Sequence, residues 1–176
     1  MKFAITGHTN GIGLAIKNLL ESQNHCVLGF SRSNGYDISN EQSQDQILQK
    51  SLDCDVFINN AVHKFAQTDL LYKLHSKWQD QDRLIVNISS AVTMRWFKEH
   101  SDKQYRTYKK SLDEASNFLS NFSILPKIML INPCATDTAR ASHLEHKLSV
   151  DSVADLIVYC ILHPNIKISQ LGFIRP

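Results

Sequence analysis

The sequence predicts an α/β fold, a doubly wound parallel sheet with helices on both faces, and three observations predict it. Short apolar runs bounded by polar turns recur along the chain, amphipathic helical patterns separate them, and a glycine-rich turn joins the first run to the first helix. Strands that read as continuous apolar runs are covered on both faces, so the intervening helices belong above and below the sheet. At 176 residues and 43% hydrophobic, the chain is long enough for one well-buried core and short for two. A single domain over residues 1–176 is expected.

Taken in order, the apolar run 3–6 leads into Thr6-Gly7-His8-Thr9-Asn10-Gly11-Ile12-Gly13, and the helix-like stretch 14–20 follows. Ile12, Ala15, Ile16, Leu19 and Leu20 share one helical face. Further strand-like runs occupy 26–30, 56–58, 84–88, 128–131 and, more weakly, 166–174. Between them, Leu70, Leu71, Leu74 and Trp78 fall on one helical face, as do Leu112, Ala115, Phe118, Leu119 and Phe122. Val153, Ala154, Ile157, Val158 and Ile161 form the last such face. Ten Gly and Pro residues lie scattered, and no repeat, low-complexity tract or linker marks a boundary.

A net charge of +2 with 20% charged residues offers no basic groove for nucleic acid and no membrane patch, so neither partner is expected. No apolar run approaches the ~20 residues that span a bilayer, and Met1-Lys2-Phe3 runs at once into the glycine turn. A cytoplasmic location is expected. Cys26, Cys54, Cys134 and Cys160 show no C-x-x-C spacing and read as reduced core thiols.

A strand, a glycine turn and a helix make an anion site, because the unpaired N–H groups of the first helical turn sit at its positive dipole end. Glycine also serves bare βα turns, so spacing decides what the anion is. No Gly-Lys-Ser/Thr closes the loop, and the plain G-x-G-x-x-G pattern is absent. The pattern T-G-x-x-x-G-I-G after the first strand resembles the short-chain dehydrogenase/reductase superfamily. That resemblance implies a Rossmann-type domain and a dinucleotide held by Gly7, Thr9, Asn10, Gly11, Ile12 and Gly13.

At the end of the second run, an acidic residue would bond the ribose hydroxyls of NAD, whereas Ser31-Arg32 leaves room and counter-charge for a 2′-phosphate. NADP (NADPH) is therefore expected ahead of NAD. Asp37-Ile38 resembles the adenine contact that the family places after its third strand. Asn59-Asn60-Ala61-Val62 resembles the family's N-N-A-G turn, which implies Asn60 and Ala61 beside the cofactor, with Val62 where Gly is usual. A purely structural turn is the alternative for both.

The run 84–88 ends in Ser89-Ser90, and Tyr105 and Lys109 follow at helical spacing. A phenol with a pKa near 10 needs roughly 4 kcal/mol of phenolate stabilisation to work near pH 7, which an ammonium and a cationic nicotinamide can supply. The resemblance implies Ser90 as the substrate-oxygen donor, Tyr105 as the proton carrier and Lys109 as the ribose-holding cation. Tyr108 is the decoy, since Leu112 stands four residues on. Pro133-Cys134-Ala135-Thr136-Asp137-Thr138 resembles the P-G-x-x-x-T segment at the nicotinamide, implying Pro133 and Thr138 as contacts, with Cys134 replacing Gly. His143-Leu144-Glu145-His146 lacks a third ligand at suitable spacing, so no metal site is read there. Met94, Trp96 and Phe97 are candidate pocket residues.

The expected function is hydride transfer between NADP and a small-molecule carbonyl or secondary alcohol. The alternative is a non-catalytic or weakly active dinucleotide-binding sensor or interaction protein on the same fold. The resemblance implies a homodimer or homotetramer. It also exposes two departures: the chain is trimmed relative to the family, and no Asn lies between Asn60 and Asn87 where the family carries its relay Asn. His63 is the candidate replacement in the proton relay.

Overall fold

The computed structural model describes residues 1–95, 102–163 and 165–175, apart from the side chain of Arg140. In chain order, Lys2–Thr6 (β1), Gly11–Ser22 (α1), Cys26–Phe30 (β2), Glu41–Lys50 (α2), Val56–Asn59 (β3) and Ala66–Lys77 (α3) form the first half. Leu84–Ile88 (β4), Lys103–Phe122 (α4), Lys127–Pro133 (β5), Val150–Leu162 (α5) and Gln170–Phe173 (β6) form the second. All six strands pair in parallel in the order β2-β1-β3-β4-β5-β6. The chain winds outward from β1 to β2, then returns to the other side of β1 at β3. That reversal leaves a crevice beyond the carboxyl ends of β1 and β3, where open α/β sheets take their ligands.

Register sorts the core into two layers. Ala4 pairs with Phe57, Phe57 with Ile85 and Ile85 with Ile128, and this row packs under α2, α3 and α4 with Ile47, Leu70, Leu74 and Leu112. The next row, Ile5, Ile58, Val86 and Met129, faces Ile16 and Leu20 of α1 and Ile157 and Ile161 of α5. A slip of one residue would exchange the two layers, so register is strongly specified. Among the described residues no helix is long and apolar enough to cross a membrane.

Three expectations are corrected. No strand lies between β2 and α2: the chain passes from Phe30 through a 3-10 turn at Arg32–Asn34 into α2, so Asp37-Ile38 does not follow a third strand and β2 is the sheet edge. Asp37 instead folds its Oδ1 onto the N–H and hydroxyl of Ser39 at 2.9 and 2.8 Å, closing a turn rather than extending a strand. Helix α2 itself escapes periodicity because it buries only Ile47 and Leu48 as apolar residues, and its start is set by Asn40, whose Oδ1 accepts from Ser43 N–H at 2.9 Å. The weak run 166–174 is a strand only at Gln170–Phe173. On α4, Leu112, Ala115 and Leu119 are buried, but Phe118 and Phe122 stack on each other outside, 59% and 75% exposed. Cys54 and Cys160 are buried thiols, whereas Cys26 is exposed and Cys134 is half-buried.

Candidate active site

The glycine turn is built by close backbone approach. Gly7 and Gly11 adopt φ of 71° and 53°, the left-handed region that favours glycine. A Cβ on Gly13 would lie 2.3 Å from the carbonyl oxygen of Gly7, and one on Gly11 would lie 2.8 Å from Cγ2 of Thr138. Thr6 Oγ1 accepts from the N–H groups of Asn60 and Ala61 at 3.0 Å each. Asn60 Nδ2 donates to the carbonyls of Thr6 and Gly7 at 3.1 and 3.2 Å. Asn60 and Ala61 thus lace β3 to β1 at the crevice. Asn10 precedes α1 in extended conformation with its side chain near Thr9 Oγ1, and Ile12 packs on the α1–α5 core layer. Among the five α-helices of the described residues, α1 alone has neither a side-chain cap nor an acidic residue in its first turn. Its N–H groups therefore face the crevice at the positive end of the dipole.

At the end of β2, Ser31 N–H donates to Asn34 Oδ1 at 2.8 Å and Ser31 Oγ lies 2.8 Å from Ser33 Oγ, while Asn34 Nδ2 donates to the carbonyl of Gly29 at 2.8 Å. This turn leaves Arg32 exposed. Asp37 sits close enough to feel Arg32 and His63, and its carboxyl is held below the ordinary range chiefly by the Ser39 N–H, then the Ser39 hydroxyl, with smaller contributions from those two side chains. Ile38 is buried beneath. The ring of His8 covers Gly29, whose Cβ would meet it at 2.3 Å.

The second cluster stands at the end of β4. Ser90 opens a 3-10 turn, Ala91–Thr93, and its Oγ accepts from Val92 N–H at 3.4 Å. Tyr105 lies in the first turn of α4, with Lys109 one turn on and 3% exposed. Lys109 Nζ donates to the carbonyl of Ile88 at 2.7 Å and to Gln67 Oε1 at 2.8 Å, and lies 5.7 Å from the centroid of the Tyr105 ring. Tyr108 points elsewhere, edge-on to Phe65 with centroids 4.8 Å apart. Met94 Sδ accepts from Gln170 Nε2 at 3.7 Å, whereas Trp96 and Phe97 lie outside the described residues.

Several buried polar residues here went unassigned by motif reading. Gln67 Nε2 donates to the carbonyls of Asn59 and Ile88 at 2.6 and 3.1 Å, so its Oε1 is turned to Lys109. Asn59 Nδ2 donates back to the Gln67 carbonyl at 2.9 Å and to Asn87 Oδ1 at 3.0 Å. Asp113, also buried, accepts from the hydroxyls of Ser89 and Thr93 and from Asn132 Nδ2 at 3.1 Å. Burial pushes the Asp113 carboxyl above the ordinary range while those three donors pull it back. An Asn lies within or directly after three of the apolar runs, Asn59 in β3, Asn87 in β4 and Asn132 in β5, but nothing in the local pattern marks Gln67 or Asp113 or pairs them with these Asn residues.

Beyond β5, Pro133 ends the strand and the half-buried Thr138 precedes a 3-10 turn at Ala139–Ala141, its methyl against Gly11. The loop is closed by Asp137 N–H on the Leu148 carbonyl and Leu148 N–H on the Ala135 carbonyl, both 2.8 Å, and by a Lys147–Asp137 ion pair of 2.7 Å. His146 Nδ1 lies 2.9 Å from the Arg175 guanidinium, and among the described residues no three His, Cys, Asp or Glu are placed to hold a metal.

A parallel sheet reversing at β1, with a glycine turn at the reversal and Ser90, Tyr105 and Lys109 gathered two strands further along, is a Rossmann-type domain. More narrowly, the chain has the fold of the short-chain dehydrogenases/reductases. It superposes on a short-chain dehydrogenase from Burkholderia cenocepacia, complexed with NADP, with a TM-score of 0.85 at 13% identity, over 99% of this chain and 88% of that one. Against a 3-ketoacyl-(acyl-carrier-protein) reductase from Brucella melitensis, complexed with NADH, the TM-score is 0.81 at 18% identity, over 97% and 95%. An alcohol dehydrogenase from Thermococcus sibiricus, complexed with 5-hydroxy-NADP, gives 0.75 at 17% identity, over 100% and 99%. At these identities the likeness is one of fold. No protein-family model matches the sequence, and no curated protein matches it.

Proposed function

We propose that the protein is an oxidoreductase of the short-chain dehydrogenase/reductase type, transferring hydride between NADP and a small carbonyl or secondary alcohol. The observation that carries this reading is the buried Lys109, its ammonium seated on the carbonyl that ends the Ser90 strand and facing the Tyr105 ring. A buried cation beside a phenol favours the phenolate, which is the direction a phenol must be moved to exchange a proton near neutral pH. Ser90, at the start of the turn that follows β4, donates its hydroxyl to the substrate oxygen. Tyr105 gives the proton to that oxygen in reduction and takes it in oxidation.

The backbone between Gly7 and Gly13 suits a pyrophosphate, because bare N–H groups and the absence of Cβ atoms let an anion approach. Arg32 would face a 2′-phosphate, Asp37 the adenine and Thr138 the nicotinamide, while Lys109 holds the ribose; the nicotinamide supplies the hydride. Gln67 supplies an amide to Lys109 from α3, the helix before the Ser strand, where the family resemblance implies a relay Asn that this chain lacks. The exposed Phe118 and Phe122 support assembly into a homodimer through α4. The test is NADPH titration followed by a panel of small ketones and aldehydes: binding with turnover supports the oxidoreductase, and binding without turnover supports a sensor.

A further inference from the structure

The buried carboxylate of Asp113, one helical turn beyond Lys109, belongs to none of the motifs above. Resting on the reading of Ser90 as substrate-oxygen donor, we propose that Asp113 is the positioning residue for Ser90, clamping the turn that carries it from both sides. Upstream, Ser89 donates its hydroxyl to Asp113 Oδ1, and its N–H is fixed on the Ile131 carbonyl at 2.7 Å. Downstream, Thr93 donates its hydroxyl to Oδ2, and the same Thr93 Oγ1 lies 2.9 Å from the Ser90 carbonyl. Asn132 Nδ2 joins both, at 3.1 Å from Asp113 Oδ2 and 3.2 Å from the Ser90 carbonyl, and its Oδ1 is occupied by Gln170 Nε2 at 3.0 Å. The amide is thereby oriented with its donors toward Asp113. One carboxylate gathers three donors from β4, its following turn and β5.

Geometry rather than stability explains such a residue. A buried carboxylate is costly even when bonded, and replacing it together with its three donors by well-packed apolar side chains would cost the fold little. What an apolar side chain cannot do is fix the flanks of Ser90. A hydroxyl that must meet a reacting oxygen loses rate steeply when displaced by about 1 Å. Asp113 keeps the Ser90 backbone from making that displacement.

The experiment compares Asp113→Asn with Asp113→Leu. In Asp113→Asn the amide oxygen can accept from Thr93 and Asn132 while its NH2 donates to Ser89 Oγ, so the clamp survives. Carbonyl reduction should stay within about threefold, and exchange of the Thr93 and Met94 amides should be unchanged. Asp113→Leu removes every acceptor: kcat should fall about 10- to 100-fold with NADPH affinity unchanged, and those two amides should exchange faster while β4 stays protected. Should Asp113→Leu fail to fold, Thr93→Val removes one arm alone and should show the same pattern at smaller size. Equal losses in Asn and Leu variants would make Asp113 a source of charge and overturn the proposal, as would unchanged exchange in the Leu and Val variants. If the parent protein reduces no carbonyl yet exchange follows the variants as stated, the clamp stands and the oxidoreductase reading falls.

Discussion

Lys109 Nζ donates to Gln67 Oε1 at 2.8 Å, a direct bond between α4 and α3 that the sequence motifs do not contain. The amide cannot rotate away, because its Nε2 is committed to the carbonyls of Asn59 and Ile88. Gln67→Leu leaves the ammonium with one fewer acceptor in a buried setting, a loss of roughly 1.5–3 kcal/mol for a charged hydrogen bond. Both the thermal midpoint and kcat/KM should drop. A variant with normal kinetics would remove Gln67 from the site and leave it a packing residue of α3.

Cofactor choice turns on Arg32. Its guanidinium is exposed at the end of β2, and no acidic residue stands on that strand end to meet ribose hydroxyls. NADPH should bind more tightly than NADH, and Arg32→Ala should remove most of the difference, about 10- to 100-fold in Kd for one charge-assisted contact. Isothermal calorimetry with both cofactors measures it. Equal affinities in the parent protein would contradict the assignment.

Much of this architecture was legible because apolar runs and helical stripes are produced by the same burial that the sheet imposes: the rows through Ala4 and Ile5 are the strands read from sequence. The candidates Ser90, Tyr105 and Lys109, picked by residue type and spacing, lie at the end of β4 and on the first turns of α4, and the glycine turn lies at the crevice. Helix α2 was not, since Ile47 and Leu48 are too few to set a period. Nor was the polar layer of Gln67, Asp113 and Asn132. Its bonds from Asn132 to Asp113 and from Lys109 to Gln67 span 19 and 42 positions, and local spacing carries no trace of them. His63, offered from its spacing as a relay candidate, lies in the electrostatic reach of Asp37, while Gln67 meets the lysine.

Stability should depend on pH through His75. Burial holds its imidazole below the ordinary value of 6.5, with Nε2 2.8 Å from Ser123 Oγ. The unfolded chain therefore takes up the proton first as pH falls below about 6.5, so the stability contributed by neutral His75 is present above that pH and is lost as pH drops toward the folded value. Urea midpoints measured from pH 7.5 to 5.5 should fall more steeply for the parent protein than for His75→Gln. Parallel curves would assign the decline to other groups.

Tyr105→Phe against Tyr108→Phe tests the central claim most directly, because both rings lie on one helix and only Tyr105 faces Lys109. With a carbonyl that the parent protein reduces, NADPH oxidation should be lost by about 100-fold or more in Tyr105→Phe while NADPH affinity changes little, and Tyr108→Phe should keep most of the rate. Retained turnover in Tyr105→Phe, or a greater loss in Tyr108→Phe, would contradict the assignment of the proton carrier.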